Sequence, residues 1–232
     1  MALSRVGSWL AFTDGTNVYD GTDVDPAGSV TFGAGSNRMI VFLVWCELGS
    51  QLTVSAFTIG GQAASYTGYM YQNASPDLNI LAFVWNESAI GSMSGSTISY
   101  TDDQSSNKMG WSYATFQDVK QASPTITSTN TGTTATEVDV TTTSTSSDII
   151  IAAAIDKSNN RAPFDYDTLT ERVAWNASQF SIGAADGAGG DGTTKIKNDE
   201  VANSNLAALC MVLLPATAVP VIHHHRKQIG AV

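Results

Sequence analysis

The residues of this chain with the most chemical potential are three consecutive histidines, His223, His224 and His225, in a C-terminal run. Neutral imidazole is a strong metal ligand, and three tails meeting in a trimer would supply enough of them to hold one ion. As part of a solvated tail the same run does nothing. Lying beyond the last apolar run, these histidines are badly placed to act as base for a nucleophile in the fold body. No G-x-S-x-G elbow, P-loop or H-E-x-x-H pair occurs. A triad enzyme is therefore not expected.

Carboxylates give a second set. Glu137 and Asp139 fall on one face of an alternating strand, the arrangement that flanks a glycosidic bond in jelly-roll glycosidases. The run continues into Thr141-Thr142-Thr143 with no third acid and no flanking tryptophan, so it reads as a solvated strand face. Asp186 and Asp191, separated by glycines, resemble calcium-binding glycine-rich repeats, but one copy cannot build the stacked site. Asp102-Asp103 is a turn signal. Tyr66, Tyr69 and Tyr71, beside Gln72 and Asn73, offer a platform on which a sugar ring would stack. Aromatic residues at this density in a sandwich more often pack cores and interfaces. Cys46 and Cys210 both sit in apolar runs and read as two buried free thiols. A disulfide between them requires the first and last long strands to be neighbours.

The elements that must carry these residues are strands. No stretch sustains the 3.6-residue apolar period of an amphipathic helix, whereas short runs rich in Val, Ile, Thr and aromatics alternate with Gly, Ser, Asn and Asp clusters. Four runs, 39–48, 78–85, 149–155 and 206–214, are apolar on both parities and predict strands buried on two faces. Others are one-sided, such as Glu137-Val138-Asp139-Val140-Thr141. Roughly ten to thirteen strands are expected at the ~8–12-residue spacing of sandwiches and barrels. The stretches 127–136 and 186–194 read as irregular. The fold class is all-β: an antiparallel β-sandwich, jelly-roll-like, with extra edge strands. Residues 1–18 form an arm or first edge strand, 19–215 the sandwich and 216–232 a tail.

Composition narrows the partners. Of the 232 residues, 43% are hydrophobic and only 14% charged, so the polar surface rests on Ser, Thr, Asn, Gln and Gly. A formal net charge of -10 speaks against nucleic acid and against an anionic membrane surface, both of which need a cationic footprint. The opening MALSRVGSWLAF lacks the long apolar core of a signal peptide and predicts synthesis in the cytosol. The apolar stretch 206–222 is interrupted by Pro215 and Pro220 and reads as a strand plus tail. No cofactor is expected.

Several blocks together resemble a jelly-roll-like module of bacteriophage virion proteins and some bacterial surface proteins. They are GSNRMIVFLVW (35–45), FTIGGQAASYTG (57–68), LAFVWNES (81–88), YATFQDVKQASP (113–124), TTTSTSSDIIIAAAID (141–156) and ERVAWNASQ (171–179). The pattern positions are Gly35 with Arg38, Gly60-Gly61, Phe116 with Val119 and Pro124, and Asp148. After Asn176 the chain departs from it. The resemblance implies a non-enzymatic virion structural protein, such as a capsid decoration, cement or other auxiliary protein. Its partners would be copies of itself, as a homo-oligomer with a trimer favoured, and other virion proteins. It would be made in the host cytoplasm and act in the virion. The alternative is a carbohydrate-binding, lectin-like module of a phage tail or bacterial surface protein. A groove lined with aromatics and amides would favour the sugar, and broad flat apolar patches would favour assembly.

Overall fold

The computed structural model describes residues 2–11, 26–48, 50–73, 77–103, 108–130, 137–157, 164–176, 180–190, 192–198 and 205–216. The histidine run lies outside them. The first half contributes β1 (Ser4–Ala11), β2 (Met39–Leu48), β3 (Val54–Ile59), β4 (Gln62–Ala63), β5 (Tyr66–Gln72), β6 (Asp77–Asn86), the short helix α1 (Glu87–Gly91), β7 (Ile98–Asp102) and β8 (Lys108–Gln117). The second contributes β9 (Thr125–Asn130), β10 (Glu137–Thr141), β11 (Ile149–Asp156), β12 (Phe164–Asp165), β13 (Thr170–Asn176), β14 (Ser181–Ala188), β15 (Thr193–Asn198) and β16 (Leu206–Leu213).

These strands form four antiparallel sheets. Two five-stranded sheets, ordered β1-β8-β2-β6-β5 and β13-β14-β11-β16-β9, pack face to face. Between them lie Met39, Val41, Leu43, Trp45, Ile80, Val84 and Phe116 from one side and Ile151, Ala153, Ile155, Leu209 and Met211 from the other. The outer face of each central sheet is covered by a three-stranded sheet, β4-β3-β7 or β10-β15-β12. Ile40, Phe42, Val44 and Cys46 thus face Phe57, Ile59 and Tyr100, while Ile150, Ala152 and Ala154 face Val138, Val140 and Ile196. This explains the strands that are apolar on both parities: their second face is covered by the chain itself, so it needs no partner molecule. The central pair is an all-β sandwich, as the sequence patterns predict.

The extra strands are not additions to one sandwich. Taking the bridge at Ser29 as the second segment of the first half, and the two-residue β4 as an addition beside β3, each half has eight segments wound identically. Its large sheet is ordered first-eighth-third-sixth-fifth and its small sheet second-seventh-fourth. The chain is a tandem pair of jelly-roll-like windings that share one core through their large sheets. The two ends of the repeat also meet, since Val119 bridges Pro215, Lys120 N–H donates to Leu214 O and Ala216 N–H donates to Asp118 O.

Local chemistry fixes the details. The hairpin from β3 to β4 turns on Gly60 and Gly61, both at positive φ, as a tight reversal needs. Asn86 caps α1 by accepting from Ala89 N–H at 3.0 Å. A bulge in β1 between Val6 and Leu10, with Gly7 at φ +78°, turns Trp9 into the central core against Phe116.

Two stretches differ from expectation. Glycine-dense 186–194 contains the end of β14 and the start of β15, and residues 127–130 of the second stretch belong to the paired edge strand β9, while 131–136 lie outside the described residues. Glycines of β14 serve close approach: a Cβ at Gly183 would overlap Tyr166 and Phe164, and one at Gly187 would crowd Leu169.

Candidate functional site

Strand alternation divides the three tyrosines of β5. Tyr66 turns toward the central core with Gly68 and Met70, whereas Tyr69 and Tyr71 lie on the opposite face with rings stacked at 6.4 Å. The platform anticipated from Tyr66, Tyr69 and Tyr71 is therefore a pair, because residues three apart on a strand point to opposite sides. Tyr71 hydroxyl donates to Asp77 at 2.8 Å, and this bond to a carboxylate raises the Tyr71 pKa.

Next to Tyr69 opens a groove of about 310 Å³, lined by Gln51, Leu52, Thr53, Val54, Thr67, Gly68, Tyr69, Leu81 and Phe83. It lies where the small sheet stops short of β5. Apolar side chains of β6 face it on one side, with Gln51 and Thr53 exposed on the 51–54 segment and Thr67 exposed on β5. That segment is held at three points: Leu52 N–H donates to Asn79 Oδ1 at 3.1 Å, Thr53 N–H to Asp103 Oδ1 at 3.0 Å, and Asp103 N–H returns to Thr53 O at 3.1 Å. The turn acid Asp103 therefore braces a loop. Asn79, fully buried, also accepts from Tyr69 hydroxyl at 2.6 Å. One amide oxygen thus fixes both the loop and the tyrosine, while Asn79 Nδ2 has no partner among the described residues. Burial pushes the Tyr69 pKa up, and a hydrogen bond from Gln51 partly offsets it. Sequence reading found Tyr69 but not Gln51, Thr53 or Asn79. A polar Asn79 inside the apolar run 78–85 was the available signal.

The other polar groups have structural partners. Glu137 and Asp139 face lysines across the strand pair, with Lys195 Nζ 2.9 Å from Glu137 and 3.7 Å from Asp139, and Lys197 Nζ 3.4 Å from Glu137. The hydrogen bond from Lys195 lowers the Glu137 pKa. Asp186 is buried and takes Arg5 Nη1 at 2.8 Å, Arg172 Nε at 2.8 Å and Trp9 Nε1 at 2.6 Å. Its carboxylate is occupied by cations of the chain, and Asp191 lies outside the described residues. Cys46 and Cys210 are buried and not joined in a disulfide, each lying in a different outer core on either side of the central sandwich. No metal-holding cluster occurs among the described residues.

The residues of the virion-module resemblance also find partners. Arg38 pairs with Glu87, Nη2 to Oε1 at 2.5 Å, while its backbone N–H donates to Glu87 Oε2 at 2.6 Å. Gln121 accepts from Glu87 N–H at 2.7 Å and donates to Val119 O at 2.9 Å and Arg38 O at 3.3 Å. The latch lowers the Glu87 pKa and raises that of Arg38, chiefly through their mutual hydrogen bond. Asp148 Oδ2 accepts from Thr145 N–H at 2.6 Å just before β11.

Fold and site define an all-β antiparallel sandwich with an open, uncharged groove beside Tyr69. No family model, curated protein or solved structure matches the chain.

Proposed function

We propose that this chain is a non-enzymatic virion structural protein, a capsid decoration, cement or other auxiliary protein of a bacteriophage particle. It acts through contacts with copies of itself and with other virion proteins. One observation carries the reading: most of the pattern positions of the virion-module resemblance serve the frame. Arg38, Glu87 and Gln121 form a latch, Gly60-Gly61 a turn, Phe116 core, Val119 the bridge between the repeats, and Asp148 the brace before β11. None of them lies on the groove. The pattern positions are thus architectural, which suits a structural role.

Composition supports the reading. With 14% charged residues most of each face is neutral, so local contacts between copies need not set like charges opposite, while the net charge of -10 opposes close approach at low salt. Among the described residues the exposed large hydrophobics are Leu10 and Leu214, so the broad apolar patch that would favour assembly is not found among them, and docking would rest on polar faces and sheet edges.

Light scattering on the untagged full chain, with and without a chelator, tests the proposal. A mass of three chains that holds on dilution is the expected result. Dissociation by chelator would assign a metal to His223, His224 and His225. A monomer at every concentration would overturn self-assembly.

A further inference from the structure

We infer that the groove beside Tyr69 is a binding site for a neutral, hydroxyl-rich ligand, a hexose or N-acetylhexosamine unit of an uncharged glycan. This inference is independent of the virion reading, since none of that resemblance's pattern positions, Gly35, Arg38, Gly60, Gly61, Phe116, Val119, Pro124 and Asp148, lines the groove.

Three properties of the site select that chemistry. First, its lining pairs apolar surface with neutral hydrogen-bonding groups. Leu81, Phe83 and Tyr69 supply the apolar surface, and the Gln51 amide and the Thr53 and Thr67 hydroxyls supply donors and acceptors. A pyranose is matched to such a surface, with C–H groups on its faces and hydroxyls around its edge. Tyr71, stacked beside Tyr69, extends the aromatic strip along β5 and offers a second ring to the next sugar.

Second, none of the nine lining residues is charged, and the charged groups bonded to its edge, Asp103 at Thr53 and Asp77 at Tyr71, are acids. Phosphate, sulfated and sialylated ligands would find no cation there. A protein strand is also a poor occupant, because the groove is a short recess of about 310 Å³.

Third, the site is pre-organised. Leu52 and Tyr69 are both fixed by the fully buried Asn79, and Thr53 is fixed by Asp103. The unmatched Asn79 Nδ2 marks a buried donor left without a partner directly behind two lining residues. Ordering a loop before binding spares the ligand that cost.

A glycan array carrying neutral, sialylated and sulfated oligosaccharides, followed by calorimetric titration of the best neutral oligosaccharide, tests this. The expected pattern is binding confined to neutral glycans, weakened about tenfold by Gln51→Ala and abolished by Thr67→Arg. Both positions are exposed, so both variants should fold, as circular dichroism would verify. Binding only to acidic glycans, binding unaffected by either variant, or no glycan bound at all would each overturn the inference. Solution mass should be the same in all three proteins, so failure here is separable from failure of self-assembly.

Discussion

Trp9 of the N-terminal edge strand donates its indole N–H to Asp186 of β14 at 2.6 Å, joining the first strand of one half to a central-sheet strand of the other. Arg5, on the same edge strand, reaches the same carboxylate oxygen, and Arg172 of β13 takes the second oxygen. One buried carboxylate thus serves three donors from both sheets.

Removing that charge should be costly. Asp186→Asn leaves two guanidinium groups without a counter-charge, and breaking a buried pair typically costs about 3–5 kcal/mol. The arginines are partly in water, at 22% and 32% exposure, so about 2–3 kcal/mol is expected. Urea unfolding measures it. Trp9→Phe, which keeps the ring in the core, should cost less, about 1–2 kcal/mol. An unchanged midpoint in Asp186→Asn would show that the cluster contributes nothing.

Glu171 gives a pH dependence of definite sign. Burial raises its pKa from 4.5 to about 7, although its Oε1 accepts from Phe164 N–H at 2.9 Å. The folded state then holds a proton that the unfolded state has released, so stability falls as pH rises from about 4.5 through about 7. Glu171→Gln keeps an acceptor for Phe164 and should flatten that slope, gaining on the native chain at pH 8. Parallel stability curves for the two proteins would refute the assignment.

Gly68 faces Ile126 of β9, where the edges of the two central sheets come together. A Cβ there would sit 2.5 Å from Ile126 Cδ1. Gly68→Ala should destabilise by about 1–3 kcal/mol through overpacking. Combining it with Ile126→Ala should recover part of the loss, which a double-mutant cycle resolves.

The thiols should be silent in the folded protein. Cys46 and Cys210 are fully buried, and burial pushes the Cys210 pKa up to about 12. A disulfide-exchange reagent should label neither natively and both of the two in guanidinium. Fast native labelling would contradict the packing.

Much of this fold was legible. Runs such as 39–48, apolar on both parities, announced strands with two covered faces, and Glu137–Thr141 alternated as expected. The repeat was not, because the two halves fill equivalent positions with different volumes. β2 carries Phe42 and Trp45 where β11 carries Ala152, Ala153 and Ala154. Core volume is conserved across an interface, not along each strand, so the likeness is one of winding. The end of β14 and the strand β15 were hidden because glycine usually signals a turn, whereas Gly183 and Gly187 are there to admit neighbouring side chains. The groove was half visible: its tyrosine stood out, but Gln51 and Asn79 gain meaning only once three separate segments meet.

The shared central core has a consequence for how the protein is made. Residues 4–117 leave the ribosome first, bearing Met39, Val41, Leu43 and Trp45 on a face whose cover is not yet synthesised. At roughly 5–20 residues per second, the strands from Thr125 to Leu213 follow over about 5–20 s. Throughout that interval the nascent chain displays a broad greasy sheet with unpartnered indoles. Such a face invites aggregation until the second half arrives to cover it.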